Sequence, residues 1–261
     1  MKDVQNSLDH RGITIQKVGV KDLHLPLLIV ERAGDVQQVL ANVTITANLP
    51  HQFKGTHMSR FIEVLMTWSR AGLSAKSFKK LLGEVRDKLA AQRVEINMEF
   101  KYFVGLVAPV SGSPSLLDVD CEFTASLYKE RFDFILGVRL PFTSVCPCSK
   151  EISEYGAHNQ RVLVTTRLRT RPGAYLWIED VLDLLKDVGS CQVYPLLKRE
   201  DEKYVTERAY ENPKFVEDIL RDSVLALRTE PRITWFEVHC ESFESIHNHS
   251  VYAYHTESRK S

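Results

Sequence analysis

Alternation of apolar and polar side chains dominates the first half of this chain. Val43, Ile45, Ala47 and Leu49 alternate with Thr44, Thr46 and Asn48, which predicts a strand with one wet face. Phe61, Leu65 and Trp68 recur at helical spacing, and Phe78, Leu81, Leu82, Val85 and Leu89 form a clearer helical stripe. Period-two runs return at 94–100, 119–128 and 132–140. Cys121 falls on the apolar side of the second run and is expected in a core. The second half repeats this plan. A strand covers about 161–169, and Ile178, Val181, Leu182 and Leu185 mark a helix. Asn212-Pro213 reads as the opening of another helix, with Val216, Leu220, Val224 and Leu227 on one face. Phe236, Val238 and Cys240 then alternate with Glu237, His239 and Glu241 as a strand.

Residues 1–25 read as a polar N-terminal arm, followed by two similar α+β units at 26–139 and 140–261. The echo extends to detail. Leu49-Pro50 before a turn holding His57 matches Leu140-Pro141 before a turn holding two cysteines. Largely antiparallel sheets with long exposed outer strands favour edge pairing between chains.

Charge narrows the partners. Lys+Arg and Asp+Glu both number 34 in 261 residues, so there is no broad basic face for nucleic acid, although a local cluster could hold an anion. Five scattered cysteines argue against a disulfide framework and for a reducing compartment. The N-terminus lacks the apolar core of a signal peptide. No apolar run approaches the ~18 residues of a membrane span. A soluble cytoplasmic protein is expected.

The densest chemistry lies at 140–161, where Cys146, Cys148, Lys150, His158 and Arg161 fall among turn-like residues. Pro147 holds both thiols on a stiff, extended segment. Thiolate and imidazole together suit zinc and its neighbours. With no second cysteine pair to complete four sulfur ligands, a catalytic metal site competes with two inert cysteines. The run from Leu197 to Glu207 reads either as a solvated charged loop or as a site where Glu200 or Glu202 supplies an oxygen ligand or a base, with Lys198 and Arg199 facing an anion. Glu217 and Arg221 have the spacing of an ordinary helix ion pair. His247 and His249 at i and i+2 would point the same way on a strand, a common ligand geometry, and are equally common as solvated residues. His255 and the Arg259-Lys-Ser tail read as surface. No Gly-rich phosphate or dinucleotide cradle is present.

Leu-Pro-Phe-Thr-Ser-Val-Cys-Pro-Cys-Ser-Lys150, Gly-Ala-His-Asn-Gln-Arg161, Lys198-Arg-Glu-Asp-Glu202, Val205-Thr-Glu207, Asn212-Pro-Lys-Phe-Val-Glu-Asp218 and Glu244-Ser-Ile-His247 together resemble type IB GTP cyclohydrolase I, over essentially the whole chain. The resemblance implies a tunnelling fold (T-fold) of two tandem ββααββ-like units. In that fold, antiparallel sheets close into barrels in a homotetramer with active sites between subunits. It implies conversion of GTP and water to 7,8-dihydroneopterin 3'-triphosphate and formate, the first step of tetrahydrofolate biosynthesis. The cofactor would be a divalent metal (zinc, manganese or iron) that brings the pKa of water to about 7. By the same resemblance Cys146, His158, Glu200 and His247 are metal ligands, with Glu202 an alternative to Glu200, and the order of Cys146 and Cys148 open. Cys148, His158, His247 and Glu244 take catalytic roles. Glu217 anchors guanine through a bidentate carboxylate, and Lys150, Arg161, Lys198 and Arg199 face the triphosphate. Two other readings compete. In a nitrile reductase acting on a deazaguanine, Cys148 would attack the nitrile, but the Glu-Ser-Lys-rich NADPH segment of such enzymes is missing here. In a non-enzymatic metal-binding protein, metal removal would unfold the chain.

Overall fold

The computed structural model describes residue 5 and residues 7–259. Lys260 and Ser261, read above as surface, and most of the first six residues of the N-terminal arm lie outside the described residues. Two compact units emerge. One comprises the chain up to Lys101 with Glu122–Leu136, and the other comprises Tyr102–Cys121 with everything from Gly137 onward.

In the first unit, β1 (Ile15–Val30), β2 (Val36–Leu49) and β3 (Arg93–Val107) form an antiparallel ladder. Most of β1 lies in a stretch too polar for its pattern to be read as a strand. Its exposed residues explain why: it is an edge strand, and only Leu25, Leu27 and Ile29 are buried. On β2, Val43, Ile45, Ala47 and Leu49 are buried and Thr44, Thr46 and Asn48 are not, as alternation predicts. Helices α1 (Met58–Trp68) and α2 (Phe78–Leu89) bury Phe61, Val64 and Leu65, and Phe78, Leu81, Leu82 and Val85. Phe78 sits edge-on to Phe123, with ring centroids 5.5 Å apart, and Phe100 packs on Phe123 at 4.9 Å. Such aromatic contacts add about 0.5–1.5 kcal/mol each beyond their buried area.

The second unit holds all of the candidate chemistry. Its strand order runs through β3, β4 (Pro114–Tyr128), β5 (Arg131–Val145), β6 (Asn159–Thr170), β8 (Ile233–Phe243) and β9 (Ser250–Ser258), with the short β7 (Cys191–Gln192) on β5. Val162, Val164 and Leu168 of β6 and Phe236, Val238 and Cys240 of β8 form the buried face, together with Val181 and Leu185 of α4 (Ile178–Leu185) and Ile219 and Leu227 of α6 (Val216–Arg228). Cys121 and Cys240 are core thiols, and burial pushes Cys240 up to about 12. Two further helices are α3 (Pro147–Ile152) and α5 (Arg199–Glu211).

This architecture corrects the expected fold. The described residues form nine strands, mostly antiparallel, with few helices, and do not form tandem ββααββ barrels. The physical reason lies in the length of β3, β4 and β5. Each has 15 residues and contributes to both compact units, so continuous strands carry the architecture. Three local readings also change. The charged run from Arg199 is a 13-residue helix, not a loop. Asn212 closes α5 and does not open α6. His247 and His249 lie in the loop between β8 and β9, their rings stacked with centroids 5.2 Å apart.

A charged network fixes the entry to β8. Arg232 donates from Nε and Nη2 to Glu230, each at 2.8 Å, from Nη1 to the Tyr175 carbonyl at 3.0 Å, and pairs with Asp180 at 3.1 Å. The Arg232 guanidinium holds the Glu230 carboxyl below its ordinary value. A depressed folded-state value stabilises above the unfolded value, about 4.3, and that contribution is lost as pH falls through the folded value. Glu230→Gln is therefore expected to flatten the acid limb of stability. Urea midpoints between about pH 5 and 3 should fall less steeply in the variant than in the wild type; equal slopes would contradict the assignment.

Candidate active site

Polar contacts knit together the backbone that presents Cys146. Ser190 N–H donates to the Thr143 carbonyl at 2.9 Å, and Val145 N–H donates to Ser190 Oγ at 3.1 Å. Ser144 Oγ donates to the Lys214 carbonyl at 2.8 Å, and Lys214 N–H to the Val145 carbonyl at 3.0 Å. Lys214 Nζ reaches the Val188 carbonyl at 2.9 Å and Asp222 at 2.7 Å. Asn212 Nδ2 donates to the carbonyls of Gly189 and Ser190, both at 3.1 Å. Ser144 and Ser190 are buried, so these bonds satisfy groups that would otherwise be stranded. Two chain segments, 188–190 and 212–214, thus hold the end of β5 and are tied to each other.

Cys146 follows as the N-cap of α3, with Pro147 at the first helical position. Its Sγ accepts from Ser149 N–H at 3.4 Å. Two bonds bring His158 to the same turn: Cys146 N–H donates to the His158 carbonyl at 3.1 Å, and His158 N–H donates to Ser149 Oγ at 3.2 Å. His158 Nδ1 lies 2.9 Å from Gln160 Oε1. With the proton on Nδ1 donated to that oxygen, Nε2 presents its lone pair, the arrangement that orients imidazoles in metal sites. Thiol and imidazole are thus joined by backbone, and their chemistry fits a divalent metal such as zinc, manganese or iron. Among the described residues, no three His, Cys, Asp or Glu side chains are gathered as a metal cluster.

A cleft of about 810 Å³ opens beside this turn. Val145, which precedes Cys146, and Ala157 and Asn159, which flank His158, line it along with Arg161, Tyr194, Thr206 and Tyr210. Gly156 turns the chain into the cleft wall at φ +121°, a conformation that L side chains rarely adopt.

The other sequence-identified residues are distributed as follows. Arg161 lines the cleft on β6. Cys148 is exposed on α3. Lys150 is engaged within the protein: its Nζ donates to the Tyr210 carbonyl at 2.6 Å and lies 4.3 Å from the centre of that ring. Lys198, Arg199, Glu200 and Glu202 are exposed at the start of α5. Glu217 is exposed in the first turn of α6, and Arg221 pairs with Asp218 at 3.0 Å instead of with Glu217. Glu244 accepts from Ser242 Oγ at 2.7 Å, and His247 is exposed beyond it.

A regularity at the helix starts escaped the pattern reading. Trp177-Ile-Glu-Asp180, Lys198-Arg-Glu-Asp201 and Phe215-Val-Glu-Asp218 each place Asp third in the helix. The aspartate accepts from the N–H of the capping residue at 3.1, 2.9 and 3.0 Å respectively. The preceding glutamates, Glu179, Glu200 and Glu217, therefore occupy equivalent positions. The repeated Glu-Asp pair was the available signal.

In fold, the protein is similar to uricases. Uricase from Arthrobacter globiformis aligns with a TM-score of 0.61 at 10% identity, over 94% of each chain. Urate oxidase from Bacillus subtilis 168 aligns with a TM-score of 0.53 at 11% identity, over 94% of this chain and 99% of that one. At such identity the likeness concerns fold alone. The sequence relationship is closer. Residues 1–253 match the family GCHY-1, type I GTP cyclohydrolase folE2. GTP cyclohydrolase FolE2 of Geotalea uraniireducens (strain Rf4) is 51% identical over 253 residues, which cover 97% of this chain and 92% of that protein. That of Geobacter sulfurreducens (strain ATCC 51573 / DSM 12127 / PCA) is also 51% identical over 253 residues, covering 97% and 96%. The chain belongs to the FolE2 family of type I GTP cyclohydrolases, which refines the type IB resemblance drawn from the motifs.

The support beneath Cys146 has one tight contact. A Cβ on the buried Gly189 would lie 2.5 Å from Phe142 Cβ, an atom that cannot swing aside. Gly189→Ala should therefore destabilise the protein by about 1–3 kcal/mol through overpacking. Chemical denaturation tests this, and an unchanged midpoint would show that the 188–190 segment yields freely.

Proposed function

We propose that the protein is a GTP cyclohydrolase I that converts GTP and water to 7,8-dihydroneopterin 3'-triphosphate and formate, the entry step of tetrahydrofolate biosynthesis. Full-length similarity to GTP cyclohydrolase FolE2 proteins at about half identity supports the activity. The observation that carries the site assignment is the hydrogen-bonded Cys146–His158 turn beside the cleft.

Cys146 and His158, with Glu200 and His247, would hold a divalent metal (zinc, manganese or iron), with Glu202 and Cys148 as alternative donors. Such a metal supplies hydroxide near neutral pH for opening the guanine imidazole ring. The chain's own groups do the rest. Gln160 keeps the His158 proton on Nδ1 and leaves Nε2 to act. Glu217 makes no ion pair or hydrogen bond among the described residues, so its carboxylate is available to accept from guanine N1–H and the 2-amino group. Arg161, Lys198 and Arg199 present cations to the triphosphate. Lys150 would serve there by exchanging its Tyr210 contacts for phosphate oxygens. Cys148 would donate a proton from its exposed thiol, and Glu244 and His247 would supply further acid–base groups from the β8–β9 loop.

The reading includes a homotetramer with sites completed between subunits. The second unit's edge strand β9 supports this, because it exposes Tyr252 and Tyr254, with Phe243 and Ile246 exposed beside it. A cytoplasmic setting agrees with five free cysteines. No helix among the described residues is long and apolar enough to cross a membrane.

The test is to strip the protein of metal, reload it with manganese or zinc, add GTP, and follow formate release and pterin fluorescence after oxidation. Metal-dependent formate with a fluorescent neopterin product is expected. Cys146→Ala and His158→Ala should each lower kcat at least 100-fold. Glu217→Gln should reduce kcat/KM by about 10- to 150-fold, the value of charge-assisted hydrogen bonds. Absence of formate with either metal, together with NADPH consumption on a cyano-deazaguanine, would overturn the assignment in favour of a nitrile reductase.

A further inference from the structure

We propose that Asp201 is a positioning residue that sets the cleft wall formed by α5; this rests on the cleft being where GTP binds. Asp201 is fully buried, the only charged side chain so placed among the described residues. Its Oδ1 accepts from the N–H groups of Val110 and Ser111 at 2.8 and 2.9 Å. Its Oδ2 accepts from Ser111 Oγ at 2.7 Å and Lys198 N–H at 2.9 Å. Burial raises the carboxyl's pKa, but these donors outweigh burial and hold it well below the usual carboxylate range. One ionised side chain thereby joins the start of α5 to the β3–β4 turn some 90 residues earlier in the chain.

Helix α5 needs such a fixture. Its composition supplies no apolar stripe, and its only buried residues are Asp201 and Ala209. Yet Leu197, just ahead of it, and Val205, Thr206, Ala209 and Tyr210 within it line the cleft. Its far end is also held by polar contacts, through Lys150 on the Tyr210 carbonyl and Asn212 on Gly189 and Ser190. The wall's position is therefore set by hydrogen bonds at the two ends of the helix. When the Asp201 anchor is weakened, α5 spends part of its time displaced, and apparent affinity falls in proportion to the docked fraction. Saturating GTP restores the docked wall, so the loss falls on KM.

The test compares metal-loaded wild type, Ser111→Ala, Asp201→Asn and the double variant. GTP kinetics are measured at least 15 °C below each melting point, alongside hydrogen exchange of the α5 amides. Ser111 lies outside the cleft lining; its Oγ bonds Asp201 and also accepts from Ser113 N–H at 3.3 Å within the same turn, so the double variant separates the part of its effect that travels through Asp201. Asp201→Asn should raise KM at least tenfold while kcat changes less than threefold, and α5 amides should exchange faster. Ser111→Ala should act in the same direction more weakly, and the double variant should be no worse than Asp201→Asn. Wild-type KM and kcat in Asp201→Asn, even with a lowered melting point, would reduce Asp201 to a structural role and overturn the proposal. Loss of kcat at unchanged KM would overturn it as well. Wild-type turnover is the control: its absence would defeat the cyclohydrolase reading and this proposal with it.

Discussion

The candidate site depends on a backbone constraint, the anchoring of the end of β5. Thr143, Ser144 and Val145 are bound to Ser190 on one side and Lys214 on the other, and Asn212 and Lys214 tie those two segments together. Cys146 is the next residue. A cysteine on a free loop would sample many positions, and a ligand or nucleophile in that state performs poorly. Here the strand delivers it to a proline-started turn, and the same turn captures His158 through Ser149 and a backbone bond. Cys146 and His158 are held to one turn by a backbone bond and by Ser149 Oγ.

A second device recurs at three helix starts in the same unit. An aspartate in the third position caps back onto the chain, so the glutamate before it always emerges from the first turn. Glu200 and Glu217 are both such glutamates. The caps thus give two candidate functional carboxylates defined positions while leaving them exposed. At Asp201 the same cap also holds Ser111 and Val110, which makes it a tertiary anchor.

Much of this was legible in the sequence, for identifiable reasons. Strands and helices with one buried face declare themselves by period, as β2, α2, α6 and β8 do through Val43 to Leu49, Phe78 to Val85, Val216 to Leu227 and Phe236 to Cys240. The pairing of Cys146 with His158 was suggested by density of chemistry within one short segment. What the pattern hid was whatever apolar burial does not hold. Edge strand β1 exposes much of both faces, and α5 is fixed by polar contacts at its ends, so neither carries a period to read. The expected tandem barrels failed for a related reason, since alternation marks strands but does not say that β3, β4 and β5 run on through both units. The support under Cys146 was equally silent, because Ser144, Ser190 and Asn212 are common loop residues until their partners are seen.

The most direct test of the account is a crystal structure of the manganese-loaded protein with GTP bound under non-turnover conditions. The account predicts nucleotide density in the cleft lined by Ala157, Asn159, Arg161 and Thr206, with the guanine imidazole ring facing the Cys146–His158 turn. Nucleotide held elsewhere on the chain, with that cleft empty and that turn untouched, would contradict it.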